Sequence, residues 1–371
     1  MGCARTLAAD NHDFVMLTRD VGGRVTSSRD GAVNYGAFYA RSDYRHVSAF
    51  LHRKRQIRFD ASRFRKGDRV WSFWDVVRAH PLMIVRLYHH ILVFDEHYQR
   101  FKKRCEQESQ CDALRRDPYL RRMHEERAVD FLRAHNLQSL IPLVIDPLVR
   151  ATAFLDVEES SLSAAGVLLL LLIGRYASYA FELRHDALIA GIADRVVLAE
   201  VESVERGEDR WRIRTTLGEV YSAETIVVAT PIDVAKRLLH MVCATNRPIS
   251  VHMAHVRGVL LPQYHIPGDV LLLAPHETPD IVITRESDGT HLFYSHNPKY
   301  DLTRYFAQHE VIAEKFWHPA FFVGHCVLSA KVGKRCFVIG DHNICGMEDA
   351  YLSGMGVARQ LMRREDGVVA L

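Results

Sequence analysis

Two short apolar runs, one near each end of the chain, stop on glycine, and this pairing restricts the fold more than any other feature. Phe14-Val15-Met16-Leu17 leads into Asp20-Val21-Gly22-Gly23-Arg24-Val25-Thr26, and Cys336-Phe337-Val338-Ile339 leads into Gly340-Asp341. Unalternating apolar runs of this length are what a parallel strand shows when both its faces are covered. Parallel strands need crossover connections, so the expected class is α/β. At the first stop, adjacent glycines let the backbone approach a ligand closely and Arg24 offers a fork of donors, which suits a phosphate. After the second, Gly346-Met347-Glu348-Asp349 opens a helix whose apolar positions Met347, Ala350, Tyr351, Gly354, Ala358 and Leu361 share a face.

The intervening sequence sorts into blocks. Ala4, Leu7 and Ala8 have helical spacing and Asn11-His12 breaks it, so the chain opens as helix, turn, strand. Residues 31–39 (GAVNYGAFY) read as a second strand. From about 80 to 140 a polar stretch is helix-rich, and 164–173 (AAGVLLLLLI) reads as a buried helix. Strands are expected at 187–190, 196–198, 201–205, 210–216 and 225–229, with Gly207 and Gly218 in hairpin turns. Residues 250–306 alternate strands and turns again.

Composition excludes several classes. With 48% hydrophobic and 25% charged residues over 371 positions, the chain is globular and long enough for two domains. The 164–173 run is about half the length of a bilayer span, so no transmembrane segment is expected. The start, MGCARTLAADNHD, lacks the apolar stretch of a secretory signal. Seven cysteines form no CxxC pair and cannot all be bridged, which suits a reducing, cytoplasmic setting without structural metal. Net charge is only +3, but residues 41–69 hold ten Lys and Arg against three acids. Nucleic acid or an anionic membrane would suit such a patch. No nucleic-acid module surrounds it, so it reads as solvated strand-and-turn surface and no nucleic-acid partner is expected.

Three separated pieces together resemble the flavin-dependent amine oxidases and their protoporphyrinogen-oxidase and phytoene-desaturase relatives. Gly22-Gly23-Arg24 followed by Asn34-Tyr35-Gly36-Ala37 is similar to the GGR motif and the strand after it. Val196-Val197 through Thr225-Ile226-Val227-Val228-Ala229-Thr230-Pro231 is similar to the middle segment that completes the dinucleotide-binding sheet. Val338-Ile339-Gly340-Asp341 with Gly346-Met347-Glu348-Asp349-Ala350 is similar to the C-terminal flavin motif. The resemblance implies a discontinuous Rossmann-like FAD-binding domain from 1–45, 187–240 and 325–371, interleaved with an α+β substrate domain from 46–186 and 241–324. It implies FAD contacts at Gly22, Gly23, Arg24, Val197, Gly340, Asp341, Met347 and Glu348. It also implies hydride transfer from a small organic substrate, an amine or an unsaturated, isoprenoid-like molecule, to flavin N5. O2 or another acceptor would reoxidise the flavin, and a homodimer is left open.

The sequence departs from that pattern. The strand and GxGxxG loop that open the family do not precede Met1-Gly2-Cys3-Ala4, which leaves two readings: a start placed too late, or a degenerate, flavin-free member serving as a binding or interaction module. Thr18 stands where an acidic ribose ligand is usual. No lysine lies between Lys236 and Lys299, Gly346 replaces an aromatic of the amine cage, and Asp349 replaces a glycine. His252 and His255 lie in the expected substrate strand, and Trp317 resembles a tryptophan near the flavin; each is equally read as a structural residue. Met1-Gly2-Cys3-Ala4-Arg5-Thr6 also fits an N-myristoylation pattern, by accident if the start lies upstream.

Overall fold

The computed structural model describes all residues except 29–30, 38, 67–68, 159–160, 266–269, 273–278, 287 and 366–371. Helix α1 (Gly2–Ala9) ends at Asp10 and Asn11, the latter at φ 58°, a left-handed conformation that asparagine tolerates. Strand β1 (Met16–Thr18) follows. It is only half-buried, with Val15 just before it 56% exposed, so the doubly covered strand expected here does not form. Among the described residues the strand expected over 31–39 does not form either. Ser27 and Asn34 make an isolated bridge, and Val33, Asn34 and Tyr35 plug the core, Asn34 donating to the Phe181 carbonyl. An apolar run can thus be buried without a sheet partner.

The basic stretch becomes β2 (Ala40–Arg41), β3 (Leu51–Ile57), β4 (Arg63–Lys66) and β5 (Arg69–Ser72), with Asp68, one of its three acids, outside the described residues. Several of its cations are engaged: Arg41 with Asp43, Arg58 with Asp60, Lys54 with the Gly31 and Ala32 carbonyls. The helical block follows as expected. Ser72 and Asp75 form a reciprocal cap on α2 (Phe73–Ala79), and proline starts α3 (Pro81–Cys105). Ser109 caps α4 (Gln110–Arg115), Asp117 caps α5 (Pro118–Glu125), and α6 (Ala128–Ala134) comes next. A π-turn over Ile141–Ile145 leads into α7 (Asp146–Ala153), and Ser163 caps α8 (Ala164–Leu171). Helix α8 is the buried centre of the bundle, with Val167 and Leu168 fully enclosed. Among the described residues no helix is long and apolar enough to cross a membrane.

Strand β6 (Ser178–Leu183) lies between β2 and β3. Of residues 187–190, expected as strand, the first three belong instead to helix α9 (His185–Ile189), and Ala190 follows it. Four apolar residues carry no periodicity long enough to separate the two. Strand β7 (Val196–Leu198) pairs in parallel with β1, Leu17 opposite Val197. An antiparallel meander of β8 (Val201–Arg206), β9 (Trp211–Thr215) and β10 (Val220–Ala223) turns at Gly207 and Gly218. Then come β11 (Ile226–Val228), α10 (Ile232–Leu238), β12 (Arg247–Leu260), β13 (Val270–Leu272), β14 (Asp280–Arg285) and β15 (His291–Ser295). The chain closes with β16 (Phe306–Val323), β17 (Lys331–Gly333), β18 (Cys336–Val338) and α11 (Met347–Glu365).

A seven-stranded sheet runs in the order β16-β12-β15-β14-β13-β4-β5. Its Val251, Met253, Leu292 and Tyr294 share one core with Phe94, Phe101, Leu132 and Leu168 of the helices. Strand β18 is covered on both faces, as its unalternating run requires. Cys336 and Val338 pack with β11, α10 and the meander, while Phe337 packs with α1 and α11. Helices α1 and α11 touch so closely that a Cβ on Gly2 would lie 2.0 Å from the Tyr351 carbonyl oxygen. That burial overturns the acylation reading, because Gly2 and Cys3 are inside the helix interface. The expected single Rossmann-like sheet is resolved as two hydrogen-bonded units, β1-β7 and β11-β18-β17, with no ladder joining them among the described residues.

Candidate functional site

The glycine-ended runs from opposite ends of the chain meet through one guanidinium. Gly22 and Gly23 turn the chain after β1 at φ 98° and 61°, which places Arg24 beside the end of β18. Arg24 Nη2 stands 2.5 Å from Asp341 Oδ1, and its Nη1 donates to the Ala320 carbonyl at 2.9 Å. The turn after β1, the end of β16 and the end of β18 are thereby tied together. Around Gly23 nothing lies within 4 Å of where a Cβ would stand, and Gly340, at φ 140°, has only the His342 ring nearby. Ser353 of α11 fixes this second turn, accepting from the Gly340 amide at 3.0 Å and donating to the Ala350 carbonyl at 2.8 Å.

The start of α11 carries two buried acids with different tasks. Glu348, 1% exposed, accepts from the amides of Arg45 and His46 through Oε1 (2.8 and 3.0 Å) and of Val47 through Oε2 (3.1 Å). Its carboxylate is occupied by the chain's own backbone, so any contribution to a cofactor is positional. Asp349, 2% exposed, receives the Tyr98 hydroxyl at 2.8 and 2.7 Å on its two oxygens. Burial pushes its pKa up to about 6, against the pull of the Tyr98 hydrogen bond and the Lys102 and Arg41 charges. A Cβ on Gly346 would lie 2.7 Å from Asp349 Oδ2. The missing aromatic and the added acid are therefore one feature: the carboxylate fills the space a side chain at 346 would need. Behind it, Asp43 takes Arg41 Nε at 2.9 Å and Lys102 Nζ at 2.8 Å. Burial raises Asp43, but Arg41 and Lys102 outweigh that and hold it at about 2. Tyr98 and Lys102 carried no sequence signal, since α3 reads only as a long amphipathic helix, and Asp43 read only as one of three acids in the basic stretch.

The other expected residues lie around this junction or apart from it. Met347 is the half-buried first residue of α11, and Val197 sits in the separate β1-β7 pair. His255 is buried with both ring nitrogens engaged, Nδ1 with the Tyr35 hydroxyl at 3.1 Å and Nε2 with Thr290 Oγ1 at 2.7 Å. His252, three positions earlier, stacks on exposed Phe316 at 4.5 Å. Trp317 pairs with Val251 against the main core, and its indole Nε1 is buried without a hydrogen-bond partner among the described residues. His342 Nε2 is in the same condition, and burial lowers the pKa of that imidazole. Among the described residues no cluster of three His, Cys, Asp or Glu is arranged to hold a metal.

No protein-family model matches the chain, and no curated protein matches it in sequence. Solved structures do match its fold. A conjugated-linoleic-acid-producing fatty acid isomerase from P. acnes aligns at a TM-score of 0.69 and 13% identity, covering 98% of this chain and 95% of that one. Putrescine oxidase bound to putrescine aligns at 0.66 and 12%, covering 98% and 96%. An oxidoreductase from Methanosarcina mazei aligns at 0.62 and 15%, covering 96% of each. At these identities the likeness establishes the fold alone: the chain shares the overall α/β architecture of these solved structures.

Proposed function

We propose that the chain is an FAD-dependent oxidoreductase of the amine-oxidase-like kind, with the cofactor held where the Gly22–Arg24 turn, the Gly340–Asp341 strand end and the start of α11 converge. The Arg24–Asp341 contact carries this reading, because it joins the two motifs whose resemblance is to flavin-binding segments. The residues present fit the group there. Two glycine turns leave backbone open to close approach, and His342 Nε2, two residues after Gly340, is a buried polar atom with no hydrogen-bond partner among the described residues. Bound FAD supplies the two-electron chemistry, accepting hydride at N5 from a C–H bond beside nitrogen or along an unsaturated skeleton.

The chain's own groups bind and orient. Arg24 brings positive charge for a phosphate, and Asp341 brings an acceptor for a hydroxyl. The 19-residue α11 adds the positive end of its dipole, which favours negative charge near Met347. His255, engaged at both nitrogens, holds Tyr35 and Thr290 in place rather than standing free as a base. The substrate is a small organic molecule, and an electron acceptor such as O2 completes turnover.

One observation favours a second reading, a flavin-free binding or interaction module. Arg24 and Asp341 satisfy each other, and the two parallel pairs remain separate units. A visible absorption spectrum of the purified chain before and after added FAD, followed by acid release, decides between them. Stoichiometric flavin that falls roughly tenfold or more in affinity in Arg24→Ala is the expected outcome. No flavin bands with FAD in excess would leave the second reading.

A further inference from the structure

The first half of α3 is apolar on two faces, and only one of them is covered. Leu87, Ile91 and Phe94 enter the core, while Leu82, Val85, Tyr88 and Leu92 stand 82%, 68%, 44% and 37% exposed. Their spacing, i, i+3, i+6 and i+10, makes one stripe along the helix. Trp74 on the preceding α2 adds a fifth exposed apolar side chain, at 52%. Five exposed apolar side chains on two successive helices are uncommon on a folded surface and mark something that covers them.

Charge identifies the cover. From Arg69 to Leu92 the chain carries three arginines, Arg69, Arg78 and Arg86, against the single acid Asp75. Asp75 is already committed to the Ser72 cap and to Arg78 at 3.3 Å. A second copy would bring the same face to these arginines and with it no acid other than the committed Asp75, whereas lipid phosphates would neutralise them. Aliphatic side chains with a tryptophan, a tyrosine and a cationic rim are the composition of a surface seated in a membrane interface.

We infer that the outer face of α2 and α3 docks on an anionic phospholipid surface, Leu82 and Val85 entering the acyl boundary and Arg78 and Arg86 meeting headgroup phosphates. This goes beyond the flavin reading and does not depend on it.

The test is flotation of the full chain with phosphatidylcholine vesicles, with and without phosphatidylglycerol. Binding is expected to the mixed vesicles and to weaken with salt. It should fall roughly tenfold or more in Leu82→Asp/Val85→Asp, whose substituted positions are solvent-exposed. Circular dichroism checks that the variant is folded. Independently of that variant, brominated lipid should quench tryptophan emission in the unmodified chain, and the quenching should disappear in Trp74→Phe. Absence of flotation at low salt, or quenching unchanged by Trp74→Phe, would overturn the proposal. So would a dimer in light scattering that Leu82→Asp/Val85→Asp converts to monomer in a chain that binds no vesicles, because a second copy would then cover the face.

Discussion

Asp349 is a carboxyl that the fold pays to bury, and the cost depends on pH. Its pKa rises from 3.8 to about 6, burial being the main cause. The folded protein therefore holds this proton over an interval in which the unfolded chain has released it. The resulting stability is complete below the ordinary carboxyl value and is lost as pH climbs through about 6. Asp43 runs the opposite way: held at about 2, it contributes stability above its ordinary value that is lost as pH falls through about 2. His90 and His124, lowered by burial to about 4, contribute above 6.5 and fade as pH falls through about 4, so they oppose Asp349 across the same interval. The comparison of Asp349→Asn with the parent chain isolates the one term. The amide keeps an acceptor for Tyr98 and removes the titration. Relative to the parent, the variant should gain on the order of 2 kcal/mol in unfolding free energy on going from about pH 4 to about pH 7. Urea titrations at both pH values measure it, and an offset that does not change with pH would show that Asp349 stays ionised throughout.

At the scale of elements, the short helical turn Val47–Phe50 depends on a residue about three hundred positions away. Its N-cap His46 makes no side-chain cap, and the amides of Arg45, His46 and Val47 all turn to Glu348. Removing this carboxylate, itself 1% exposed, leaves three donors without their acceptor, that of Val47 in a buried site. Glu348→Ala is expected to cost about 3 kcal/mol or more, and Glu348→Gln less, by urea unfolding at neutral pH. No local pattern could have shown this cap, because acceptor and donors meet only in the tertiary fold. Elements with their own chemistry were legible: the apolar run that forms α8, the helix-rich stretch from about 80, the Gly207 and Gly218 hairpins, and the Gly340 turn into α11. Short apolar runs were not, since Val33, Asn34 and Tyr35 are buried without a ladder among the described residues and 187–189 coil into α9. Strand β16 also escaped notice. As an edge strand it is exposed from Ala307 through Ile312, so neither alternation nor an apolar run marks it. Of the site, the glycine turns and Gly340–Asp341 were readable, but the Arg24–Asp341 pairing and the Tyr98–Asp349 bond join segments that sequence spacing cannot relate.

Across the whole molecule, the way the sheets are divided sets where the structure opens first. Strands β1 and β7 form a two-stranded parallel pair three residues long, half-buried, with Leu198 67% exposed. Strands β12 and β16 pair along most of their length, and β12 is backed by the main core through Val251 and Met253. Local opening costs least where few apolar contacts and few cooperative hydrogen bonds must break. Backbone amides of β1 and β7 should therefore exchange with deuterium well before those of β12, whose exchange should approach the global unfolding limit. Cofactor binding at the proposed junction adds a spatial signature to this gradient. Saturation with FAD should raise protection in the segment from β1 to Arg24 and from β18 to His342, which Arg24 already links, and leave the centre of β12 unchanged. Flavin bound at stoichiometry without that rise would place it away from the Arg24–Asp341 clamp. A rise confined to those two segments would show that the clamp is where the two ends of the chain and the cofactor are coupled.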